Sequence, residues 1–543
     1  MRPLSYRLPT LALSLGLLTL PSIAQDTTPL ITSTTPTTPI KHLVVIFGEN
    51  ISFDHYFGTY PSAVNPPGQP RFRPLPGTPA VNGLTSALLT ANPNLNPANG
   101  SGAANPFRLN RSQALTSSQN HSYAPEQASF DGGLMDLFPL KTGSAGGTPV
   151  LYPAVTNTKG MVLGYFDGNT VTAMWEYAQQ FALSDNSYNS NFGPSTPGAL
   201  NLVSGQTNGI IQATALNTPS GNEIADGVGG YTLIGDAEPL LDTCSSATSL
   251  NVEMSGKNIG DLLNAAGLTW GWFQGGFDLT VTNPNGTTAC KRSTVSPITG
   301  LTEGDYVEHH EPFQFYASTR NPTHIRPTSI AAIGTTDAAN HQYDTHDFFD
   351  SLSAGNLASV SFIKAPSYQN AHPGNSNPLD EQAFVVSVIN TLEASPFWSS
   401  TAVVIAYDDS DGWYDHQQGA IVNASFSTSD SLSGASACGT PGVTPQLPGV
   451  NSSGLPVNGR CSPGVRTPLL VVSPWAQSNF VDHTFTMQTS ITRFIEDNWS
   501  LGRIGGGSYD TIVNPITNMF NFAPSIPPNA TPLVLSPTTG LPE

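Results

Sequence analysis

The stretch that most constrains the fold is Lys41 to Pro61, KHLVVIFGENISFDHYFGTYP. Leu43 to Phe47 form an uninterrupted apolar run, rich in Val and Ile and too short for a typical helix. Such a run predicts a strand buried on both faces, the kind found in parallel sheets. At its end the chain turns polar at once, with Gly48, Glu49 and Asn50. In open α/β sheets ligands bind outside the carboxyl ends of the strands, so a carboxylate and an amide at this point are placed for chemistry.

The same pattern recurs. Leu268 to Phe273, Val360 to Lys364, Ala402 to Tyr407 and Leu469 to Ser473 are further strand candidates. Between them lie helical periodicities at Val171 to Ser184, Asn258 to Ala266 and Thr486 to Trp499, with another helix expected near Gln127 to Phe138. The clearest helix is capped by Asn377 and opened by Pro378. Its Phe384, Val385, Val388, Ile389 and Leu392 share one face, and Pro396 stops it. Short apolar strands alternating with helices predict an α/β fold with a mostly parallel central sheet covered by helices on both faces. Residues 61–120, 206–257 and 424–465 are rich in Pro, Gly, Asn and Ser, and predict long loop excursions that form a smaller lobe.

Composition narrows the setting. With 19 basic and 38 acidic residues the net charge is −19, and no basic cluster offsets it, so nucleic acid is not an expected partner. Residues 1–24 have the pattern of a secretory signal: Arg2 and Arg7, an apolar core from Leu8 to Leu20, then the small residues Ser22 and Ala24. A Thr/Pro-rich tether, residues 25–39, follows, and 40–543 is expected to be one domain. No later segment reaches 18 apolar residues, so no transmembrane segment is expected after signal removal. The four cysteines in an exported chain predict two disulfides. Pairing of sequence neighbours, Cys244 with Cys290 and Cys438 with Cys461, closes the shortest loops.

The groups suited to chemistry cluster at strand ends. Glu49 and Asn50 follow the first strand, and Asp408 and Asp409 follow the AVVIAY strand. Gathered carboxylates repel unless a cation or proton lies among them, and this oxygen-rich set suits one hard divalent metal ion. Adjacent acids at a single strand end are often just solvated loop residues; two strands ending alike weigh against that. Ser195 precedes Thr196 and Pro197, a pattern for a helix N-terminus with proline at its first position. Most serines in that setting are only caps, but free N–H groups and the helix dipole there also favour an alkoxide and a bound phosphate. Among 11 histidines, His121, His309, His310 and His372 sit in polar stretches where imidazolium binds phosphate or protonates a leaving group. His42, His55, His416 and His483 are expected to be structural. S-T-P-G-A is similar to a sulfatase motif, but Ala199 stands where that motif has arginine.

Six stretches then occur in order across nearly the whole mature chain: GENISFDHYFGTY, NHSYAPEQ, FGPSTPGALNL, HHEPFQFYAS, AHPGNSNPLDEQ and YDDSDGWYDH. Together they resemble the bacterial phosphoesterase family that holds acid phosphatases and phospholipases C, and within it the respiratory-burst-inhibiting acid phosphatase branch. The resemblance implies an alkaline-phosphatase-like fold, and a metal ion held by Glu49, Asn50, Ser195, Asp408 and Asp409. It implies Ser195 as nucleophile, and a phosphate site lined by Asn50, His121, His309, His310 and His372. His310 or His372 is then the expected acid, with His121 beside it. The implied function is an exported, metal-dependent acid phosphatase acting through a phosphoserine on small-molecule phosphomonoesters. The alternative is a phospholipase C-type phosphodiesterase acting on phospholipids. That branch looks different at the nucleophile, with threonine in a GPTNP-like context, and usually carries extra C-terminal β domains. An exported binding protein with the fold but no chemistry would lack one acid or the serine, and none is missing here.

Overall fold

The computed structural model describes residues 35–144, 158–214 and 221–543. The expected signal segment, 1–24, and most of the tether lie outside the described residues. An eight-stranded sheet forms the centre. In chain order its strands are β1 (His42–Gly48), β2 (Ala182–Ser184), β3 (Trp270–Gln274), β4 (Gln342–Tyr343), β5 (Val360–Lys364), β6 (Thr401–Tyr407), β7 (Leu469–Val472) and β8 (Phe480–Asp482). Across the sheet they run β4-β3-β5-β1-β6-β7-β2-β8. Neighbours are parallel everywhere except at β7, which runs against both β6 and β2. The mostly parallel α/β architecture expected from the strand pattern is the one observed. The exception has a local cause: the chain between β6 and β7 contains no helix to carry it over the sheet, so it returns antiparallel.

β1 lies near the middle, flanked by β5 and β6, and Leu43 to Phe47 are at most 3% exposed. Burial of such Val, Ile and Leu side chains stabilises the fold by roughly 1.5–3 kcal/mol each. Two helix pairs pack around the sheet: Thr172–Gln180 with Pro378–Glu393, and Ser195–Ser204 with Thr489–Asn498. The Pro378 helix starts as expected, with Asn377 accepting the Leu379 and Asp380 N–H groups. A second apolar cluster, including Leu84, Phe130, Phe138, Phe192 and Tyr414, joins the loop excursions around the Cys438–Cys461 disulfide. The other bridge is Cys244–Cys290, so both neighbour pairings are found.

Three local expectations are corrected. The single helix near Gln127 to Phe138 is two short helices, Tyr123–Ser129 and Phe138–Lys141. Asp131, Gly132 and Gly133, with φ of 45°, 64° and 98°, break it by entering the left-handed region. The helical pattern from Val171 to Ser184 ends at Gln180, and its last residues form β2, because pairing with β7 and β8 outweighs local periodicity. Thr486–Met487 is a strand paired to Ser187–Tyr188, and the last helix starts only at Thr489.

Candidate active site

Sheet register brings the acids together. Gly48 pairs with Tyr407, so Glu49 and Asp408 leave the parallel strands β1 and β6 side by side. Glu49, Asn50, Asp408 and Asp409 are all at most 1% exposed. Asn50 has φ 61°, a left-handed turn that asparagine tolerates. That turn lets its N–H donate to Asp408 Oδ1 at 3.1 Å and its side-chain amide to Asp411 Oδ1 at 3.1 Å. The amide oxygen of Asn50 is buried and has no hydrogen-bond partner.

Ser195 reaches the same point from a different element. The Ser195–Ser204 helix lies against the end of β6 so closely that a Cβ on Gly198 would sit 2.0 Å from the Asp408 carbonyl oxygen. Ser195 Oγ is 3.1 Å from Glu49 Oε2 and 3.1 Å from Asp409 Oδ2. One hydroxyl proton satisfies only one of those acceptors, so three oxygens converge with too few protons between them. The helix start differs from expectation. Pro194 holds the cap position and Ser195 is the first helical residue. Asp236, from a separate loop, accepts the Thr196 N–H at 3.0 Å, so that donor is not free for phosphate.

The histidines assemble around this point. His310 Nδ1 lies 3.1 Å from Glu49 Oε1, and His309 stands edge-on to His310 with ring centres 4.5 Å apart. His121 Nδ1 is 3.2 Å from Asp411 Oδ1, and the His121 and His372 rings are 6.1 Å apart. The structure therefore brings every residue singled out from the sequence into one site. His42, His55, His416 and His483 lie in structural contacts instead, such as His55 stacked on Trp413 at 4.0 Å and His416 bonded to Asp54 at 2.7 Å.

Three residues were missed. Lys364, fully buried at the end of β5, contacts Glu49 Oε1 and lies 3.1 Å from Asp408 Oδ2. Its signal was available: it ends an apolar strand just as Glu49 and Asp408 do. Glu126 accepts the Gly193 N–H at 2.9 Å and the Ser410 hydroxyl at 2.6 Å, tying the loop before Ser195 to the loop after Asp409. Asp411 ties Asn50 to His121. The last two act through contacts between distant segments, which spacing does not reveal.

Electrostatics separate the histidines. Burial lowers His310, reinforced by His309, Lys364 and His372, so this imidazole is held neutral. His372 is also lowered, chiefly by burial. At His121 burial works the same way, but Asp409, Asp411 and Asp236 outweigh it and lift the imidazole well above its usual value. Burial and the Asp408 charge push Glu49 up, with Lys364 opposing, and burial also pushes Asp409 up. Glu49 and Asp408 thus share the Lys364 ammonium, while Asp409 has no lysine or arginine ion pair among the described residues, and the cluster is short of positive charge. This deficit, the orphaned Asn50 oxygen and the convergent Ser195 hydroxyl fit a hard, oxygen-ligated divalent cation. Beside this cluster, His121, His372 and Asp411 gather ligand-type atoms within 4.8 Å of one another.

A curated relative, the non-hemolytic phospholipase C of Pseudomonas aeruginosa, is 24% identical over 89% of this chain and 57% of its own length. Phospholipase C A of Mycobacterium tuberculosis is 24% identical over 91% of this chain and 79% of its own. The chain thus spans little more than half the length of the Pseudomonas relative. Among solved structures, murine ectonucleotide pyrophosphatase/phosphodiesterase 5 aligns with 65% of this chain and 95% of its own, at 11% identity and TM-score 0.29. An alkaline phosphatase superfamily protein of Vibrio parahaemolyticus covers 76% and 77%, at 11% identity and TM-score 0.26. Overlaps at those scores carry no argument here. The profile of the Phosphoesterase family matches residues 40–502, which include all the site residues above. That match spans most of the 543 residues, and the chain belongs to the Phosphoesterase family.

Proposed function

We propose that this chain is an exported, metal-dependent phosphoric ester hydrolase that cleaves phosphomonoesters through a phosphoserine on Ser195. The observation that carries the reading is the convergence of Ser195 Oγ on Glu49 and Asp409 at 3.1 Å each, at a helix N-terminus inside a cluster of acids. Family membership supports phosphoester chemistry, and the two disulfides suit an oxidising compartment.

Glu49, Asn50, Asp408, Asp409 and Ser195 would hold the cation. A divalent ion held there would lower the hydroxyl pKa of Ser195 and offset charge on the phosphoryl oxygens. With its proton released to solvent, Ser195 Oγ attacks phosphorus in line with the ester oxygen as the alkoxide, and leaves as the alkoxide again when the phosphoserine is cleaved. Lys364 keeps the Glu49 and Asp408 carboxylates apart and partly neutralised. His121, whose carboxylate neighbours favour its charged form, donates the proton to the departing alcohol; this replaces His310 and His372, which burial keeps neutral, as the acid. His310 and His372 stay as neutral donors at the phosphate, with His309 behind them. Water then cleaves the phosphoserine, returning a proton to His121.

Phosphodiester cleavage of phospholipids is the second reading, favoured by the names of the two relatives. Against a choline headgroup stands the cleft beside His121, where among the described residues Tyr123 is the one Phe, Tyr or Trp in the lining, with its hydroxyl bonded to Asp430 at 2.7 Å. Parallel assays separate the readings. p-Nitrophenyl phosphate hydrolysis across pH 4 to 9, abolished by chelator and restored by divalent metal, is expected. Headgroup release from phosphatidylcholine with no monoester turnover would overturn the monoesterase reading.

A further inference from the structure

Ser195 and Asp409 arrive on separate segments, and among the described residues no backbone hydrogen bond joins 189–195 to 407–411. Side chains join them instead. Gln488, the buried residue before the Thr489–Asn498 helix, accepts the Ser190 N–H through Oε1 at 2.8 Å. Its Nε2 donates to the Tyr407 carbonyl at 3.1 Å and also to the Asp408 carbonyl. The Asn189 amide donates to that same Asp408 carbonyl at 2.7 Å. Nearer Ser195, buried Glu126 spans Gly193 and Ser410 in the same way, and Ser410 Oγ accepts the Gly412 N–H at 2.9 Å. Both N–H groups and the carbonyl of Gln488 are thereby used, so it has nothing left to offer a ligand, and its work is positional.

Resting on the reading of Ser195 as nucleophile and cation ligand, we propose that Gln488 and Ser410, acting with Glu126, are positioning residues. They set the separation of Ser195 Oγ from Asp409, and with it kcat and cation affinity rather than substrate affinity. Ser195 and Asp409 meet at 3.1 Å only while loop and turn keep their places. A misplacement of about 1 Å costs on the order of a hundredfold in rate, and loss of an outer partner of a metal ligand about 10- to 100-fold. Glu126 also faces Asp409, Asp411 and His121, so replacing it changes charge as well as position. Gln488 and Ser410 are neutral and isolate position from charge.

Gln488→Met keeps the length of the side chain but loses its donors and acceptor, and Ser410→Ala loses one oxygen and nothing else. On the full metal-loaded chain with p-nitrophenyl phosphate, each should lower kcat by about 10- to 100-fold while KM changes by less than about threefold. Calorimetry on the metal-free chain should show divalent-cation binding weakened by about tenfold. Val388→Ala opens a cavity in the fully buried face of the Pro378–Glu393 helix, so it should lower Tm while kcat stays near that of wild type. The proposal is overturned by a kcat within about twofold of wild type in either folded variant, by a loss confined to KM, or by a fall that Val388→Ala reproduces at equal Tm. Each of those results leaves the Ser195 reading intact. If Gln488→Met does not fold, Ser410→Ala decides alone. If the wild-type chain turns over no monoester, the monoesterase reading fails and cation affinity decides: weaker binding by Ser410→Ala supports the positioning role, and equal or absent binding overturns it.

Discussion

Ser195 and Lys364 illustrate how much one side chain decides in a buried cluster. Ser195→Ala removes the hydroxyl that bridges Glu49 and Asp409 by hydrogen bonds and adds no bulk, so the fold should persist. Turnover of p-nitrophenyl phosphate should drop by at least about a thousandfold while the circular dichroism spectrum is unchanged. Near-wild-type turnover would remove Ser195 as nucleophile. Lys364→Met acts through charge. Taking away the ammonium leaves Glu49 and Asp408 buried without their cation, a loss of about 3–5 kcal/mol for a buried pair broken on one side. Denaturant unfolding of the metal-free protein should show that loss, and added divalent cation should recover part of it by replacing the missing charge. The acids were legible in the sequence because two apolar strands end in them. Glu126 and Asp411 were not, since each works by holding together segments far apart in the chain.

At the scale of elements, the site depends on one helix seated on the end of one strand. Gly198 makes that contact possible, because any side chain there collides with the Asp408 backbone. Gly198→Ala must push the Ser195–Ser204 helix away from β6, at a cost of about 1–3 kcal/mol for overpacking. Ser195 moves with the helix, so kcat should fall together with the melting temperature. A variant with lowered stability but unchanged kcat would show that the close approach is structural only. The strands and the Pro378–Glu393 helix could be read from the sequence because their apolar patterns and caps are local. β2 could not, since Ala182 to Ser184 continues a helical pattern and becomes a strand only by pairing with β7 and β8. Reversal of β7 likewise follows from the connection, not from its own residues.

The whole molecule should be most stable in mildly acid solution. Burial raises Glu381 and Glu393 to about 7 and Glu496 to about 8. Below the unfolded value near 4.5 these acids are protonated in both states. As pH rises toward 7 the unfolded chain releases its protons while the folded one keeps them, and stability declines by about 1.4 kcal/mol per pH unit for each group. His55 has the opposite effect: burial lowers it to about 3, so the stability of its neutral form is lost as pH falls from 6.5. Melting temperature should therefore peak near about pH 4.5, where His55 begins to offset the acids, and decline toward pH 8, and Glu381→Gln should make that decline shallower. A melting temperature that rises steadily to pH 8 would show that these carboxyls ionise inside the fold. The net charge of −19 adds to the alkaline decline through self-repulsion.

What the sequence by itself determined is the set of apolar strands, the polar residues at their carboxyl ends, and the six ordered motifs, because strand burial and strand-end chemistry are properties of contiguous residues. The tertiary structure alone decided which carboxylates share the Lys364 charge, that Asp236 accepts the Thr196 N–H at the start of the Ser195 helix, and that carboxylates around His121 favour its charged form. Those depend on distances between segments 40 to more than 300 residues apart, and a proton's preference is set by which charges surround it in space, which no local pattern records.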